Sequence, residues 1–316
     1  MAVTLKQLSE KQDLLSGGHR LCAGCGASIA ARQVLLAADS PLVVSNATGC
    51  LEVATTIFPY TAWRVPWIHS LFENAAATIS GVEAMYQSLK RQGKYDKKVK
   101  FVAFGGDGGT YDIGIQALSG ALERGHDFLY VCYDNQAYMN TGIQRSSATP
   151  LSAATTTTPA GSTRSGKLQQ RKDLTQICAA HGIPYAGQVT IARWRDLVTM
   201  AHKAIELDGP AFLCVLAPCP RGWRYDTDAT IDIARLAMDT CVWPTYEVVN
   251  GDVKILYKPK EKKPIQDWMK PQGRFAHLFR PGNEHLIVAA QADIDRKWEQ
   301  LLKLEEMANA PASAEA

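Results

Sequence analysis

The sequence has no long hydrophobic run and almost no excess of charge. No apolar segment reaches the roughly 18 to 20 residues that a membrane-spanning helix needs, and residues 1–21 contain no hydrophobic stretch that could serve as a signal peptide. The 34 Lys and Arg against 31 Asp and Glu leave a formal net charge of +3, too small a surplus to favour a nucleic acid as partner. The sequence therefore predicts a soluble, cytoplasmic protein that binds neither a membrane nor a nucleic acid.

Cysteines are too sparse for a disulfide scaffold, and the common nucleotide-binding motifs are missing. The chain has 8 Cys in 316 residues, and in a reducing cytosol clustered Cys are more often metal ligands or redox centres than disulfides. It has no second CxxC, which argues against a two-knuckle zinc ribbon, and no closely spaced Cys run of a two-cluster ferredoxin. It also lacks GxGxxG and GxxxxGK(S/T), so neither a Rossmann dinucleotide site nor a P-loop is predicted.

Strand-like and helix-like segments alternate up to about residue 219. Residues 99–104 (VKFVAF) form an apolar run, followed by a Gly-rich turn, a helical pattern at 112–125 and a second strand at 127–134. The same patterns predict helices at 27–38, 74–92, 173–182 and 194–207, and strands at 41–48, 184–189 and 211–219. We therefore expect an α/β fold of three layers, with a mostly parallel sheet, right-handed crossovers and helices on both faces.

Residues 140–171 interrupt this alternation. They are rich in Thr, Ser, Ala and Gly, a composition that is typical of a disordered linker. A segment of this length inside a compact domain is either disordered or functional. Because it directly follows a candidate site, we favour a functional loop.

The composition changes again beyond residue 220. A hairpin is predicted with its turn at Asn250 and Gly251, and a closing helix is predicted at 285–307. We divide the chain into a cofactor-binding α/β domain, residues 1–220, and a C-terminal extension, residues 221–316. The extension is expected to pack on the α/β body or on another subunit.

Four of the eight cysteines lie on Gly or Pro turns at the ends of predicted elements. Cys22 and Cys25 form a CxxC pair, while Cys50 and Cys219 each follow a predicted strand. Parallel strands deliver their carboxyl ends to one sheet edge, so these four thiols could meet there. Zinc and a [4Fe-4S] cluster both accept four thiolates, and the spacing does not separate them. The alternative is that all eight are ordinary buried thiols, which we expect only for Cys132, Cys178, Cys214 and Cys241.

A Gly-Asp-Gly turn follows the strand at 99–104. Its glycines let a diphosphate approach the backbone amides at the start of a helix, and Asp107 supplies a hard oxygen ligand for Mg²⁺. The next strand ends 28 residues later at Asn135, where the amide oxygen and a nearby backbone carbonyl, that of Ala137, could complete the coordination. An ordinary Gly-rich turn with a surface Asp is the alternative. The paired Asp and Asn at neighbouring strand ends favour a diphosphate cofactor bound through Mg²⁺.

Seen together, these motifs resemble a known family. The turn GDG, followed after about 25 residues by Asn, is similar to the thiamine diphosphate motif. With GHRLCAGCG, NATGCLEV, YMNTGIQ, SSATPLSAATTTTPAG, AAHGIPY and APCPRGW in this order, nearly the whole chain resembles the β subunits of 2-oxoacid:ferredoxin oxidoreductases, the family that includes pyruvate synthase.

The resemblance implies roles for individual residues. It implies one [4Fe-4S] cluster, and thiamine diphosphate held through Mg²⁺ in the diphosphate-binding half of a thiamine site. The implied cluster ligands are Cys22, Cys25, Cys50 and Cys219. The implied Mg²⁺ ligands are Asp107, Asn135 and the carbonyl of Ala137, beside Gly106, Gly108 and Gly109. Asn140 is implied to face the substrate, and Thr48 and Gly49 to line the cofactor.

The resemblance also implies a reaction and partners. The reaction is oxidative decarboxylation of a small 2-oxoacid, pyruvate first, with coenzyme A taking up the acyl group and ferredoxin the electrons. Another 2-oxoacid, or oxalate without coenzyme A, is the alternative substrate. An α-type subunit is expected to supply the pyrimidine-binding half and its activating carboxylate, and γ- and δ-type subunits to include a ferredoxin-like one. A non-redox thiamine enzyme and a zinc-stabilised structural or nucleic-acid-binding protein are the competing classes.

Overall fold

One mixed sheet organises the described part of the chain. The computed structural model describes residues 4–161 and 163–310. Within them the sheet has eight strands in the order β2-β1-β3-β4-β6-β5-β7-β8. Strands β1 to β6 run parallel to one another, whereas β7 is antiparallel to both β5 and β8. The strands are β1 Leu42–Ala47, β2 Trp67–Ser70, β3 Lys100–Gly106, β4 Leu129–Asp134, β5 Tyr185–Thr190, β6 Ala211–Leu216, β7 Tyr246–Val249 and β8 Asp252–Ile255.

Helices cover both faces of the sheet. They are α1 Leu5–Ser9, α2 Gly26–Leu36, α3 Cys50–Thr55, α4 Ala75–Arg91, α5 Ile115–Glu123, α6 Leu174–Ala179, α7 Trp194–Glu206, α8 Pro220–Trp223, α9 Thr230–Asp239, α10 Ile265–Met269 and α11 Glu284–Asn309. A π-helical segment, Gly108–Ile113, precedes α5, and a 3₁₀ helix, Gly273–Phe279, precedes α11. The predicted α/β class is confirmed.

The central strands are apolar throughout because they are buried on both sides. In β3, Phe101 and Ala103 belong to a core shared with α4 and α5. Val102 and Phe104 belong to a second core shared with α2 and α7. The continuous run that the sequence shows at this place therefore follows from burial on both faces of the sheet.

Short elements were not predicted from the sequence. The strand β2 lies at the edge of the sheet, and only Ser70 of its four residues is buried, so it lacks the apolar pattern that marks a strand. Helices α1, α3, α8 and α10 have six residues or fewer, too few to show a helical period. The helical pattern predicted at 112–125 contains α5, but the π-helical segment that begins at Gly108 was not predicted.

The C-terminal residues continue the same sheet. The hairpin turns at Asn250 and Gly251, whose φ angles are 51° and 94°, and β7 pairs with β5. Helix α11 then contacts β8 and α10. The hairpin and the closing helix lie where the sequence predicted them, and the domain boundary at residue 220 stays a prediction.

Residues 140–171, apart from residue 162, pack onto the molecule without forming a helix or strand. Ser146, Thr149 and Lys167 are fully buried. The Lys167 ammonium donates hydrogen bonds to the carbonyl oxygens of Ser147, at 3.3 Å, and of Thr149, at 2.6 Å. These two bonds lie within the segment, and the Ser146 hydroxyl joins the segment to Asp107 at the carboxyl edge of the sheet, beside the candidate site.

A search of the helices in residues 4–161 and 163–310 found none with the length and apolarity that crossing a membrane requires.

Candidate functional site

Four neighbouring strands end at the candidate site. Strands β1, β3, β4 and β6 are adjacent in the sheet, and their carboxyl ends lead into the four segments that the sequence singled out. These segments carry Cys50, Asp107, Asn135 and Cys219. The topology therefore brings the cysteine motif and the Gly-Asp-Gly turn to one edge, the place where open α/β sheets bind ligands.

Three oxygen-bearing groups converge after β3 and β4. The side-chain amide of Asn135 reaches to 2.8 Å from Oδ1 of Asp107 and 2.9 Å from the carbonyl oxygen of Ala137. With its nitrogen turned toward them, the amide donates hydrogen bonds to both. With its oxygen turned toward them, three oxygens share one small space. Oxygens that share an octahedral Mg²⁺ at its usual ligand distance lie about 2.9 Å apart, so the second orientation fits a magnesium ion.

Asp107 is buried and held on both oxygens. Its Oδ1 accepts a hydrogen bond from the backbone N–H of Asn135 at 3.2 Å, and its Oδ2 accepts one from the Ser146 hydroxyl at 2.5 Å. Burial raises the pKa of Asp107 well above its usual value, and the neighbouring Asp134 raises it further. A divalent cation at this place would compensate the buried charge. The alternative of a surface Asp on an ordinary turn is wrong, because Asp107 is 0% exposed.

Asp134 lies beside Asp107 but has other partners. Its Oδ2 accepts a hydrogen bond from the Tyr111 hydroxyl at 2.7 Å and pairs with the Arg171 guanidinium at 3.1 Å. Burial raises the pKa of Asp134, and Arg171 acts against that rise. The two carboxylates therefore differ: Asp134 is neutralised within the fold, whereas no described cation pairs with Asp107.

The glycines of the turn are needed for close packing. A Cβ on Gly108 would lie 2.4 Å from the Tyr138 ring, and one on Gly109 would lie 2.6 Å from the carbonyl oxygen of Phe72. With no room for side chains, the backbone itself forms the wall of a narrow cavity. Its lining includes most of the predicted cofactor and substrate residues: Thr48, Gly49, Cys50, Gly106, Gly108, Gly109, Asn135, Ala137 and Asn140.

The CxxC turn and the Cys219 turn are in contact. Cys25 caps α2 at its N-terminus, and the N–H of the following Gly26 donates to the carbonyl oxygen of Pro218 at 3.1 Å. A Cβ on Gly26 would lie 2.6 Å from the backbone of Ala217. Cys219 itself accepts a hydrogen bond on Sγ from the Gly222 N–H at 3.3 Å. A residue with a side chain at Gly26 would push these two turns apart.

The four turn thiols affect one another electrostatically. Burial, together with the neighbouring turn thiols, raises the pKa of Cys25 to about 11 and that of Cys50 to about 12. Cys219 is raised in the same way. Cys22 is exposed and the other three are partly exposed, whereas the four cysteines expected to be packing residues are all buried. A bound metal centre would supply a positive charge that stabilises the deprotonated, thiolate form of these side chains.

The turn thiols that the structure describes do not converge on the position of a single metal ion. Tetrahedral zinc at its usual Zn–S distance requires thiolates about 3.8 Å apart. Among residues 4–161 and 163–310, no three His, Cys, Asp or Glu side chains lie close enough to hold one metal ion. An iron–sulfur cluster holds its four cysteines farther apart, because each binds a different iron.

Asn140 and Thr48 flank Cys50. Asn140 is exposed at the start of the long loop, and its side chain lies beside the Cys50 thiol and lowers its pKa. The Thr48 hydroxyl hydrogen bonds to the His69 ring at 2.7 Å. His69 lies 3.7 Å from the Glu52 carboxylate, so Glu52 has a partner within the fold.

Several residues of the site carry no recognisable motif. Ser146 binds Asp107 from the long loop, whose position was the only signal for it. Trp223 donates its indole N–H to the carbonyl oxygen of Asn135 at 2.7 Å. Arg274, from the 3₁₀ helix, stacks 3.8 Å above the Trp223 ring and donates to the Gln136 side chain at 2.7 Å. Nothing in the local sequence around Arg274 points to this site.

Comparison with known proteins agrees with the geometry. Residues 47–215 match the family model described as "Thiamine pyrophosphate enzyme, C-terminal TPP binding domain". The chain is 55% identical to the pyruvate synthase subunit PorB of Methanocaldococcus jannaschii, over 92% of this chain and 97% of that protein. It is 50% identical to PorB of Thermotoga maritima, over 97% and 98%. The chain belongs to the PorB family. The resemblance expected from the motifs is confirmed.

The PorB family extends to proteins with other names. The ketoisovalerate oxidoreductase subunit VorB of Pyrococcus abyssi is 44% identical, over 92% of this chain and 93% of that protein. A solved structure of the 2-oxoglutarate:ferredoxin oxidoreductase of Magnetococcus marinus, with 2-oxoglutarate, coenzyme A and succinyl-CoA bound, shares the fold. Its TM-score is 0.54 at 22% identity, covering 71% of this chain and 79% of that one. The thiamine-binding match spans Asp107 and Asn135 but not Cys22, Cys25 or Cys219.

Proposed function

We propose that this chain is the subunit of a pyruvate:ferredoxin oxidoreductase that holds the diphosphate of thiamine diphosphate through Mg²⁺ and carries one [4Fe-4S] cluster beside it. The observation that carries the proposal is the meeting of the Asp107, Asn135 and Ala137 oxygens with Cys50 around one cavity. Magnesium accounts for the three oxygens, and a cluster accounts for the four turn thiols.

The residues of the chain would divide the work as follows. Asp107, Asn135 and the carbonyl of Ala137 hold the metal, and Ser146 keeps the carboxylate turned toward it. Gly108 and Gly109 let the turn pack against Tyr138 and Phe72, and their backbone N–H groups would bind the diphosphate. Asn140, exposed beside Cys50, faces the space between cofactor, cluster and substrate.

The cofactors would supply the chemistry that side chains lack. Thiamine diphosphate, when bound, supplies the carbon nucleophile and the electron sink for decarboxylation of a 2-oxoacid, and the cluster supplies one-electron transfer. Oxidation of pyruvate to acetyl-CoA and CO₂ releases two electrons, which two one-electron carriers such as ferredoxin accept. The placement of Cys50 in the same cavity as the metal ligands keeps the electron path short.

Partner subunits are part of the proposal. The sequence contains no segment that resembles the pyrimidine-binding half of a thiamine site, so an α-type subunit would supply that half and its activating carboxylate. Large apolar side chains are exposed in the segments that follow α3 and β2: Phe58 is 94% exposed, Tyr60 79% and Leu71 62%. Such side chains suit a surface that another subunit covers. Subunits of the γ and δ types, one of them ferredoxin-like, would carry electrons to ferredoxin.

Pyruvate is proposed as the substrate because relatives at 50 to 55% identity bear the name pyruvate synthase. A 44% identical relative is named for ketoisovalerate, so a branched-chain oxoacid is the second candidate. Oxalate, oxidised without coenzyme A, is the third. The chain itself does not distinguish these acids, because the groups that bind the substrate carboxylate are expected on the α-type subunit.

The test is anaerobic purification of the complex formed by co-expression of this chain with the subunits encoded beside it. Iron, acid-labile sulfide, magnesium and thiamine diphosphate are quantified, and viologen reduction is measured with pyruvate, ketoisovalerate, 2-oxoglutarate and oxalate, with and without coenzyme A. The proposal expects a brown complex that reduces viologen fastest with pyruvate plus coenzyme A. A colourless complex that contains zinc would refute it, as would activity of the isolated 316-residue chain with the same cofactors.

A further inference from the structure

Tyr133 has a buried hydroxyl without a partner. Its side chain is 2% exposed, and the hydroxyl donates no hydrogen bond to any residue that the structure describes, although the backbone N–H of Leu51 lies beside its oxygen. The other buried tyrosines of the described chain are satisfied. Tyr130 pairs with Thr110 at 3.1 Å and Tyr185 with Glu247 at 3.1 Å, while Tyr111 and Tyr246 also have partners. A buried hydroxyl without a partner is unfavourable, so its presence calls for a ligand.

The hydroxyl is aimed into the site. A Cβ on Gly49 would lie 2.8 Å from it, and one on Gly106 would lie 3.2 to 3.4 Å from the phenol ring and oxygen. Tyr133 also lies directly opposite Gly106 in the register of β3 and β4. It therefore lines the same cavity as Gly108 and Asn135, in the space that the glycines leave free.

The geometry points to the Tyr133 hydroxyl as a hydrogen-bond donor to an anionic oxygen of the diphosphate that this cavity binds. The inference rests on the proposed function, since it names the same cofactor. A phenol is a strong donor, and bonds between a neutral donor and a charged oxygen are stronger than bonds between neutral groups. The Cys50 sulfur is the other acceptor of the cavity, but it makes no hydrogen bond with Tyr133. Tyr133 is accordingly a binding residue for the diphosphate rather than for the cluster.

Two variants separate this role from a structural one. Tyr133→Phe removes the hydroxyl and keeps the packing, and Tyr130→Phe does the same on the same strand, at 3% exposure, for a hydroxyl that has a partner within the fold. The isolated chain is unfolded with urea without cofactors. Tyr133→Phe is expected to be at least as stable as wild type, because it deletes an unsatisfied group, whereas Tyr130→Phe is expected to be less stable.

Binding is then measured on the complex, stripped of thiamine diphosphate, by titration with thiamine diphosphate or with inorganic pyrophosphate, each with Mg²⁺. Tyr133→Phe is expected to weaken both about 10-fold or more, and Tyr130→Phe neither. Unchanged affinity in Tyr133→Phe would overturn the inference, as would a loss for thiamine diphosphate but not for pyrophosphate. An altered electron paramagnetic resonance spectrum of the cluster at unchanged affinity would assign the hydroxyl to the cluster and overturn it too. A wild-type complex that binds neither probe would refute the proposed function along with it.

Discussion

The indole N–H of Trp223 donates a 2.7 Å hydrogen bond to the carbonyl oxygen of Asn135. Trp223 also donates its backbone N–H to the carbonyl oxygen of Cys219 at 2.9 Å. One residue therefore joins the turn of the proposed cluster ligand, through its backbone, to the turn of the proposed magnesium ligand, through its side chain. A displacement of one turn is transmitted to the other through a single buried residue.

Replacement of Trp223, which follows the proposed cluster ligand Cys219, by Phe should disturb the proposed magnesium site at Asn135. The substitution leaves the Asn135 carbonyl without its donor, which lowers the free energy of unfolding by about 1–3 kcal/mol beyond the loss of packing. Affinity for thiamine diphosphate at limiting Mg²⁺ should fall several-fold. Trp243→Phe is the matched control, because Trp243 is equally buried and its indole donates to Val189 at 2.8 Å. An equal loss of cofactor affinity in both variants would show that Trp223 does not specifically connect the Cys219 turn to the Asn135 turn.

The two buried aspartates at the strand ends should respond in opposite ways to the same substitution. Asp107→Asn removes a proposed metal ligand together with an uncompensated buried charge, so Mg²⁺-dependent binding of thiamine diphosphate should fall by more than about 100-fold while the unliganded chain becomes no less stable. Asp134→Asn leaves Arg171 without its anion and should lower the free energy of unfolding by about 3 kcal/mol. Urea unfolding and calorimetric titration measure the two effects. A stability loss in Asp107→Asn as large as that in Asp134→Asn would argue against a metal site.

Replacement of Cys219 by Ser should abolish the cluster. Serine keeps the size of the side chain, but its hydroxyl does not replace a thiolate as an iron ligand, so iron and acid-labile sulfide per chain should fall to near zero in the anaerobic complex. Cys178→Ser serves as the comparison, because Cys178 is 2% exposed inside α6 and is expected only to pack. That variant should keep its iron while losing some stability. Full iron content in Cys219→Ser would remove it from the ligand set.

Lys167 should make the stability of the long loop depend on pH. Burial, together with the nearby Arg145 and Arg171, lowers the pKa of Lys167 to about 8. Below pH 8 Lys167 is protonated in both the folded and the unfolded chain. Folding therefore bears the full free-energy cost of burying the charged ammonium. Between pH 8 and the unfolded value of 10.5 the unfolded chain binds more protons, and stability rises with pH.

Lys167→Met removes this titration. Wild type should therefore gain about 1–3 kcal/mol relative to Lys167→Met between pH 7 and pH 10, as measured by urea unfolding of the isolated chain. A constant difference between the two proteins across this range would show that Lys167 does not titrate there.

The sequence predicted the site because the chemistry lies at strand ends. Asp107, Asn135, Cys50 and Cys219 each directly follow an apolar strand, and parallel strands bring such positions to one edge whatever their separation in the chain. Neighbouring order within the sheet, β1-β3-β4-β6, is not written in any local pattern. The sequence could therefore assemble the site in outline but could not say which strand ends touch.

The composition of residues 140–171 was misleading in one respect. Thr, Ser and Gly are typical of flexible linkers, yet Ser146 binds Asp107 and the Lys167 ammonium is buried among backbone carbonyls. Ser146 is satisfied by a residue outside the segment and Lys167 by carbonyls 18 and 20 residues away within it, and composition records neither pairing.

By itself, the sequence determined the α/β class, the four turn cysteines and the Gly-Asp-Gly turn, because these depend on periodicity and on the chemistry of single residues. Only the tertiary structure decided that Trp223 joins the two turns, that Arg274 packs on Trp223 and that the Tyr133 hydroxyl lacks a partner. Each of these facts depends on which buried groups meet across the folded chain. A hydrogen bond or its absence is a property of two positions in space, and no single position in the sequence contains it.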